Sequence, residues 1–124
     1  MNKNNKQYYD SQKNVGAISN CESMYPETAN AFREIQAEQY MLFCRKQMDY
    51  GPSNIALGKD LAIEENKQFS HQGLWFRMND KISRIQNLLW NKKEEYNESL
   101  EDSWIDIANY SIIAMLVNRD KWGK

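Results

Sequence analysis

Glu98, Asp102 and Asp106 recur at every fourth residue of the run from Asn97 to Tyr110, so on a helix the three carboxylates share one face. Like charges at that spacing weaken an isolated helix. The run then passes into Ile112-Ile113-Ala114-Met115-Leu116-Val117, which implies burial on several sides. Buried carboxylates need partners or a metal, so the chemistry that suits the stripe is coordination of a divalent cation carrying a phosphate ligand. The plain alternative is a solvated acidic face. Glu34 and Glu38, also four apart, add a second acidic pair on an earlier helix. A bundle that faces two such helices toward one another builds an oxygen-rich site for Mg²⁺ or Mn²⁺, with Glu34, Glu38, Asp102 and Asp106 as its ligands.

Arg77, Lys81 and Arg84 line one face of another helical segment, with Asp80 four residues before Arg84. They can form an ordinary solvated face or pair with acids of a neighbouring helix. They can also capture phosphate oxygens, Arg as a bidentate fork and Lys as a point charge. A cation site beside a basic face is what a nucleoside di- or triphosphate with Mg²⁺ requires. Asp49-Tyr50-Gly51 reads as a helix stop that also offers an aromatic ring to a base. His71 is the only histidine, and no Ser/His/Asp or Cys/His arrangement can be built around it.

The elements that must position these residues read as helices, and no segment alternates as a strand would. Residues 1 to about 25 have no sustained period and resemble a polar arm, although Tyr8, Tyr9 and Tyr25 could dock onto a neighbouring subunit. Pro26-Glu27 opens a helix reaching about Met48, and Gly51-Pro52 ends it. Ile55 to Phe69 carries short helical possibilities around Leu57 to Asn66. From Gly73, the stripe Leu74, Met78, Ile82, Ile85 and Leu89 predicts the surest helix, continuing through Trp90. Trp75, Phe76, Trp90 and Trp104 read as core or interface residues rather than a stacking box. A polar connector from Asn91 to Tyr96 follows, after which Asn97 can cap the acidic helix. The expected architecture is an all-α bundle of about four helices over 26–124, preceded by the arm at 1–25.

The 124 residues suit one domain, and 16 basic against 17 acidic residues leave a net charge of −1. That balance argues against a footprint for duplex DNA, RNA or an anionic membrane, and favours a small ligand. Cys21 and Cys44 lack zinc-site spacing and read as reduced thiols. No signal-peptide core or membrane span is evident, so the expectation is a cytoplasmic protein.

Three blocks in order, Lys46 to Ile55, Gly73 to Leu89 and Asn97 to Tyr110, resemble the phage-associated nucleotide modification domain family over about residues 30 to 122. That family looks like a relative of the all-α nucleoside triphosphate pyrophosphohydrolases, the MazG and dimeric dUTPase group. The resemblance implies a MazG-like helical bundle, a Mg²⁺-dependent nucleotide site, homodimers or higher homo-oligomers and, in a phage-encoded protein, the host cytoplasm. The wider group holds metal with Glu-x-x-Glu and Glu-x-x-Asp motifs, whereas this chain has Glu34-x-x-x-Glu38 and Asp102-x-x-x-Asp106, with Ser103 three before Asp106. The leading expectation is hydrolysis of a nucleoside triphosphate to monophosphate and pyrophosphate. Glu38, Asp102 and Asp106 would act on the attacking water, Arg77, Lys81 and Arg84 would clamp phosphates, and Asp49, Tyr50, Asp80 and Asn109 would complete the nucleotide site. The competing expectations are a non-catalytic protein that sequesters a host nucleotide signal and a structural, partner-binding bundle.

Overall fold

The structure, a computed structural model, describes residues 2–91, 94–96 and 98–124. Five helices follow in order: α1 (Lys3–Met24), α2 (Pro26–Tyr50), α3 (Ser53–Ala56), α4 (Glu64–Trp90) and α5 (Leu100–Asn118). They are all-α, with no strand among the described residues. The chain divides into two compact units, residues 1–40 and 41–124.

In the first unit, the segment read as a polar arm is helical over Lys3–Met24, as α1. Asn2 caps it, its Oδ1 accepting from the Asn4 amide at 3.2 Å. Period alone misses this helix because none of its residues is buried, so no apolar stripe was needed to form it. Pro26 then starts α2, where a missing N–H costs nothing.

In the second unit, the last turns of α2 join α3, α4 and α5 around a core of Ile55, Leu74, Ile113, Val117 and Trp122. Gly51, at φ +66°, stops α2 by donating its amide to Gln47 O at 2.8 Å. The short α3 is tied down from α4: Ser70 Oγ donates to Ile55 O at 2.8 Å, and Arg77 Nη2 donates to Asn54 O at 2.8 Å. Trp122 lies beyond the last helix. Its Nε1 donates to Pro52 O at 3.0 Å, and its ring meets Phe43 edge-to-face at 6.3 Å, which closes the C-terminal turn over the α2–α3 junction.

Several sequence expectations are corrected here. The helix expected from Gly73 begins nine residues earlier, at Glu64, and carries Gly73 in its interior. Of the short helical possibilities around Leu57 to Asn66, residues 57–63 form a left-handed cap at Leu57 and turns, including one in which Asp60 Oδ1 accepts from the Ala62 amide, and α4 takes over from Glu64. Ser99, not Asn97, caps α5, its Oγ accepting from the Asp102 amide at 3.1 Å, and Asn97 lies outside the described residues. Trp75, Phe76, Trp90 and Trp104 are all more than half exposed, so they are not core; the buried tryptophan is Trp122. Ile82 and Leu89 are exposed as well, and the α4 stripe buries only Leu74 and Ile85 fully.

Two substitutions test this account by urea denaturation. Trp122→Ala is expected to cost about 3–5 kcal/mol, whereas Trp122→Phe, which keeps the ring and loses the hydrogen bond, costs about 1–2 kcal/mol. Gly73→Ala is expected to stabilise by about 0.5–1 kcal/mol, since a Cβ there would meet nothing within 4 Å.

Candidate functional site

Along α5 the buried residues are Ser103, Asp106, Asn109, Ile113 and Val117, one seam that is polar for its first half and apolar for its second. Three- and four-residue steps keep them on one side of the helix. The polar half is where the candidate site forms.

Asp106 is its centre. Its carboxylate is 9% exposed and takes Lys81 Nζ on Oδ2 at 2.8 Å and Lys46 Nζ on Oδ1 at 3.1 Å. Lys81 reaches it from α4 and Lys46 from the last turns of α2, so one acid joins three helices. Burial pushes the Asp106 carboxyl up, but the hydrogen bonds from Lys81 and then Lys46 outweigh it and hold the group below the usual carboxylate range. The hydrogen bond to Asp106 raises Lys81 above its ordinary value against its own burial, with Glu98 helping. Lys81 Nζ also lies 3.4 Å from Glu98 Oε2, so two acids of the sequence stripe share one ammonium. Asp102, between them in sequence, is exposed and donates its amide to the Ser99 cap.

Arg84 sits one turn beyond Lys81 and secures the start of α5. Its Nη1 donates to Ser103 Oγ at 2.6 Å and to Ser99 O at 3.1 Å, and its Nη2 donates to Glu98 O. Arg77 is spent on the Asn54 carbonyl but also lines a cavity of about 60 Å³ with Phe43, Lys46, Asn54, Asp106, Asn109, Tyr110 and Trp122. In this wall, Asn54 Oδ1 is buried and has no hydrogen-bond partner among the described residues. An unpaired buried acceptor costs about 1–3 kcal/mol, and a ligand donor or a water would satisfy it.

The structure therefore gathers Lys81, Asp106, Arg77 and Asn109 near one another, with Arg84 at the helix start. Lys46, Asn54, Ser103 and Trp122 belong to the same arrangement, and sequence spacing did not single them out. Lys46 lies 60 residues from its acid, and only its place in the block Lys46 to Ile55 could have drawn attention to it. Asp49 and Tyr50 end α2 exposed, and Asp80 is exposed on α4. Glu34 and Glu38 are exposed in the first unit. Among the described residues, no three or more acid, thiol or histidine side chains group so as to hold a metal ion. The groups around Asp106 are two ammonium ions rather than further oxygens, a donor set that suits anion capture better than a divalent cation.

The family description "nucleotide modification associated domain 1" matches residues 46–117, a span within the second unit that contains Lys46, Arg77, Lys81, Asp106 and Asn109. No curated protein and no solved structure matches the chain.

The ion pairs set a pH window. The lowered Asp106 contributes stability that is present above the unfolded carboxyl value of 3.8 and lost as pH falls through its folded value below that. The raised Lys81 contributes stability present below 10.5 and lost as pH rises through its folded value above that. Asp106→Asn is expected to flatten both limbs and to lower mid-range stability by about 2–3 kcal/mol, measured by denaturant melts across pH.

Proposed function

The chain belongs to the nucleotide modification associated domain 1 family, and from that footing we propose that it binds the phosphate end of a nucleoside phosphate on the face where Lys46, Lys81 and Arg77 surround Asp106. The observation that carries this reading is a buried carboxylate that holds two ammonium groups beside a cavity walled by Arg77 and an unpartnered Asn54 Oδ1. Asp106 holds both ammonium groups in place at one point, so the site is preorganised for an anion before one arrives. Lys46 is nearly half exposed and can turn to a phosphate oxygen without leaving Asp106 unpaired, since Lys81 remains. Asn54 and Asn109, both polar and at the cavity wall, are placed to read donors and acceptors of the nucleoside.

A catalytic form of this reading is a MazG-type, Mg²⁺- or Mn²⁺-dependent pyrophosphohydrolase, and the sharing of Lys81 by Glu98 and Asp106 favours it. If a phosphate draws Lys81 away instead, Glu98 is released and Asp106 keeps only Lys46, and Glu98, Asp102 and Asp106 are the carboxylates that would hold the ion. The ion would supply Lewis-acid stabilisation and a water of lowered pKa. The non-catalytic form is a protein that sequesters a nucleotide and needs the basic face without the acids.

Isothermal titration with natural and modified nucleoside mono-, di- and triphosphates is expected to give a micromolar complex. Replacing Lys46 and Arg77 together by Met should weaken it by about tenfold or more. Heat from no nucleotide in the panel removes the binding proposal. Pyrophosphate release then separates the two forms: turnover that EDTA abolishes supports the hydrolase, and an unchanged nucleotide supports sequestration.

A further inference from the structure

The first unit, residues 1–40, is helical, yet none of its described residues is buried. Its α1 and the opening of α2 do not pack along their lengths, and they meet at an elbow where Arg33 Nη1 lies 3.3 Å from Glu22 Oε1. Inside the elbow is an open apolar groove of about 590 Å³, floored by Ile18, Cys21, Ala29 and Phe32. Ile18 is 58% and Phe32 63% exposed, and Tyr8, Tyr9 and Val15 of α1 are exposed as well. Most helix stability in proteins comes from packing an apolar face, and α1 has nothing to pack on within its own unit. The segment also lies outside residues 46–117, the span matched to the family.

We propose that a second copy of this chain fills the groove, with α1 of each copy lying along residues 26–40 of the other. Charge favours this pairing. Over its full length α1 carries Lys3, Lys6 and Lys13 against Asp10 and Glu22, a net +1, with all three lysines in residues 3–13. Residues 26–40 carry Glu27, Glu34 and Glu38 against Arg33, a net −2. The two surfaces are thus opposite in sign, and each copy supplies both, which is the self-complementarity a two-fold interface needs. The near-zero sum over the whole unit gives no comparable attraction for a nucleic acid or an anionic membrane. In length, α1 spans about 33 Å and residues 26–40 about 22 Å, enough for two reciprocal helix pairs.

Sedimentation velocity on the full chain tests this. The expected species has twice the 14.7 kDa chain mass and dissociates more readily at high salt. Ile18→Glu and Phe32→Glu, both at exposed positions, should keep the helical circular dichroism while raising the dimer dissociation constant by about 30-fold or more. Lys6→Glu with Lys13→Glu should weaken the homodimer, and mixing that protein with a Glu34→Lys, Glu38→Lys protein should restore association in a mixed dimer. A chain that is monomeric at ~100 µM overturns the proposal. So does a dimer that neither glutamate weakens, or one whose charge-reversed forms do not recombine. None of these readouts involves nucleotide, so failure here leaves the phosphate-binding proposal untouched.

Discussion

The second unit depends on how one buried negative charge is compensated. Taking Asp106 out of water on its own would be prohibitive, and its neighbours along the chain offer it no counter-charge. Compensation comes instead from Lys81 on α4 and Lys46 on α2, which brings those two helices to α5 at one level of the bundle. The apolar core beneath, from Ile113 to Trp122, supplies the bulk of the burial. Ile and Leu contacts do not, however, dictate where along α5 the other helices must sit. The ion pairs do, and the positions of Arg77, Asn54 and Asn109 follow from that placement.

The same constraint gives the site its chemical character. Two ammonium groups converge on one fixed carboxylate, and Glu98 takes a share of the Lys81 charge. Arg84 extends the site in a different role: its guanidinium is committed to Ser103 and to the backbone at the start of α5, so it shapes the helix end rather than waiting for a ligand. Arg77 stands between the two roles, bonded to Asn54 O yet lining the cavity.

Much of this fold can be read from the sequence where period and punctuation agree. Pro26, the Gly51-Pro52 stop and the α4 stripe each mark a helix because local sterics and burial demand the same thing. The acidic spacing likewise picked out Asp106 and the basic face picked out Lys81. The spacing could not reveal that the two neutralise each other, because pairing between helices is a property of the tertiary arrangement. Lys46 is hidden for the same reason. Trp122 is hidden because it follows the last helix, where no period exists to mark it as buried. The apolar stripe marks α4 only from Leu74, and the nine residues from Glu64 that precede Gly73 lie outside it, so spacing does not reveal where the helix starts. The exposed tryptophans show the limit of composition: an aromatic ring announces a contact without saying whether its own chain provides it.

The change from polar to apolar along the buried seam of α5 has a consequence for uniqueness. Were the seam apolar throughout, α5 could slide one turn, about 5.4 Å, past α4 and lose little, since Ile, Val and Leu are nearly interchangeable in contact. With Ser103 and Asp106 at one end, the same slip would break the Lys81 and Lys46 pairs with Asp106 and the Arg84–Ser103 hydrogen bond together. The polar end thus acts as an index mark that admits one sliding position and rejects its neighbours, a distinction the oily end cannot make for itself.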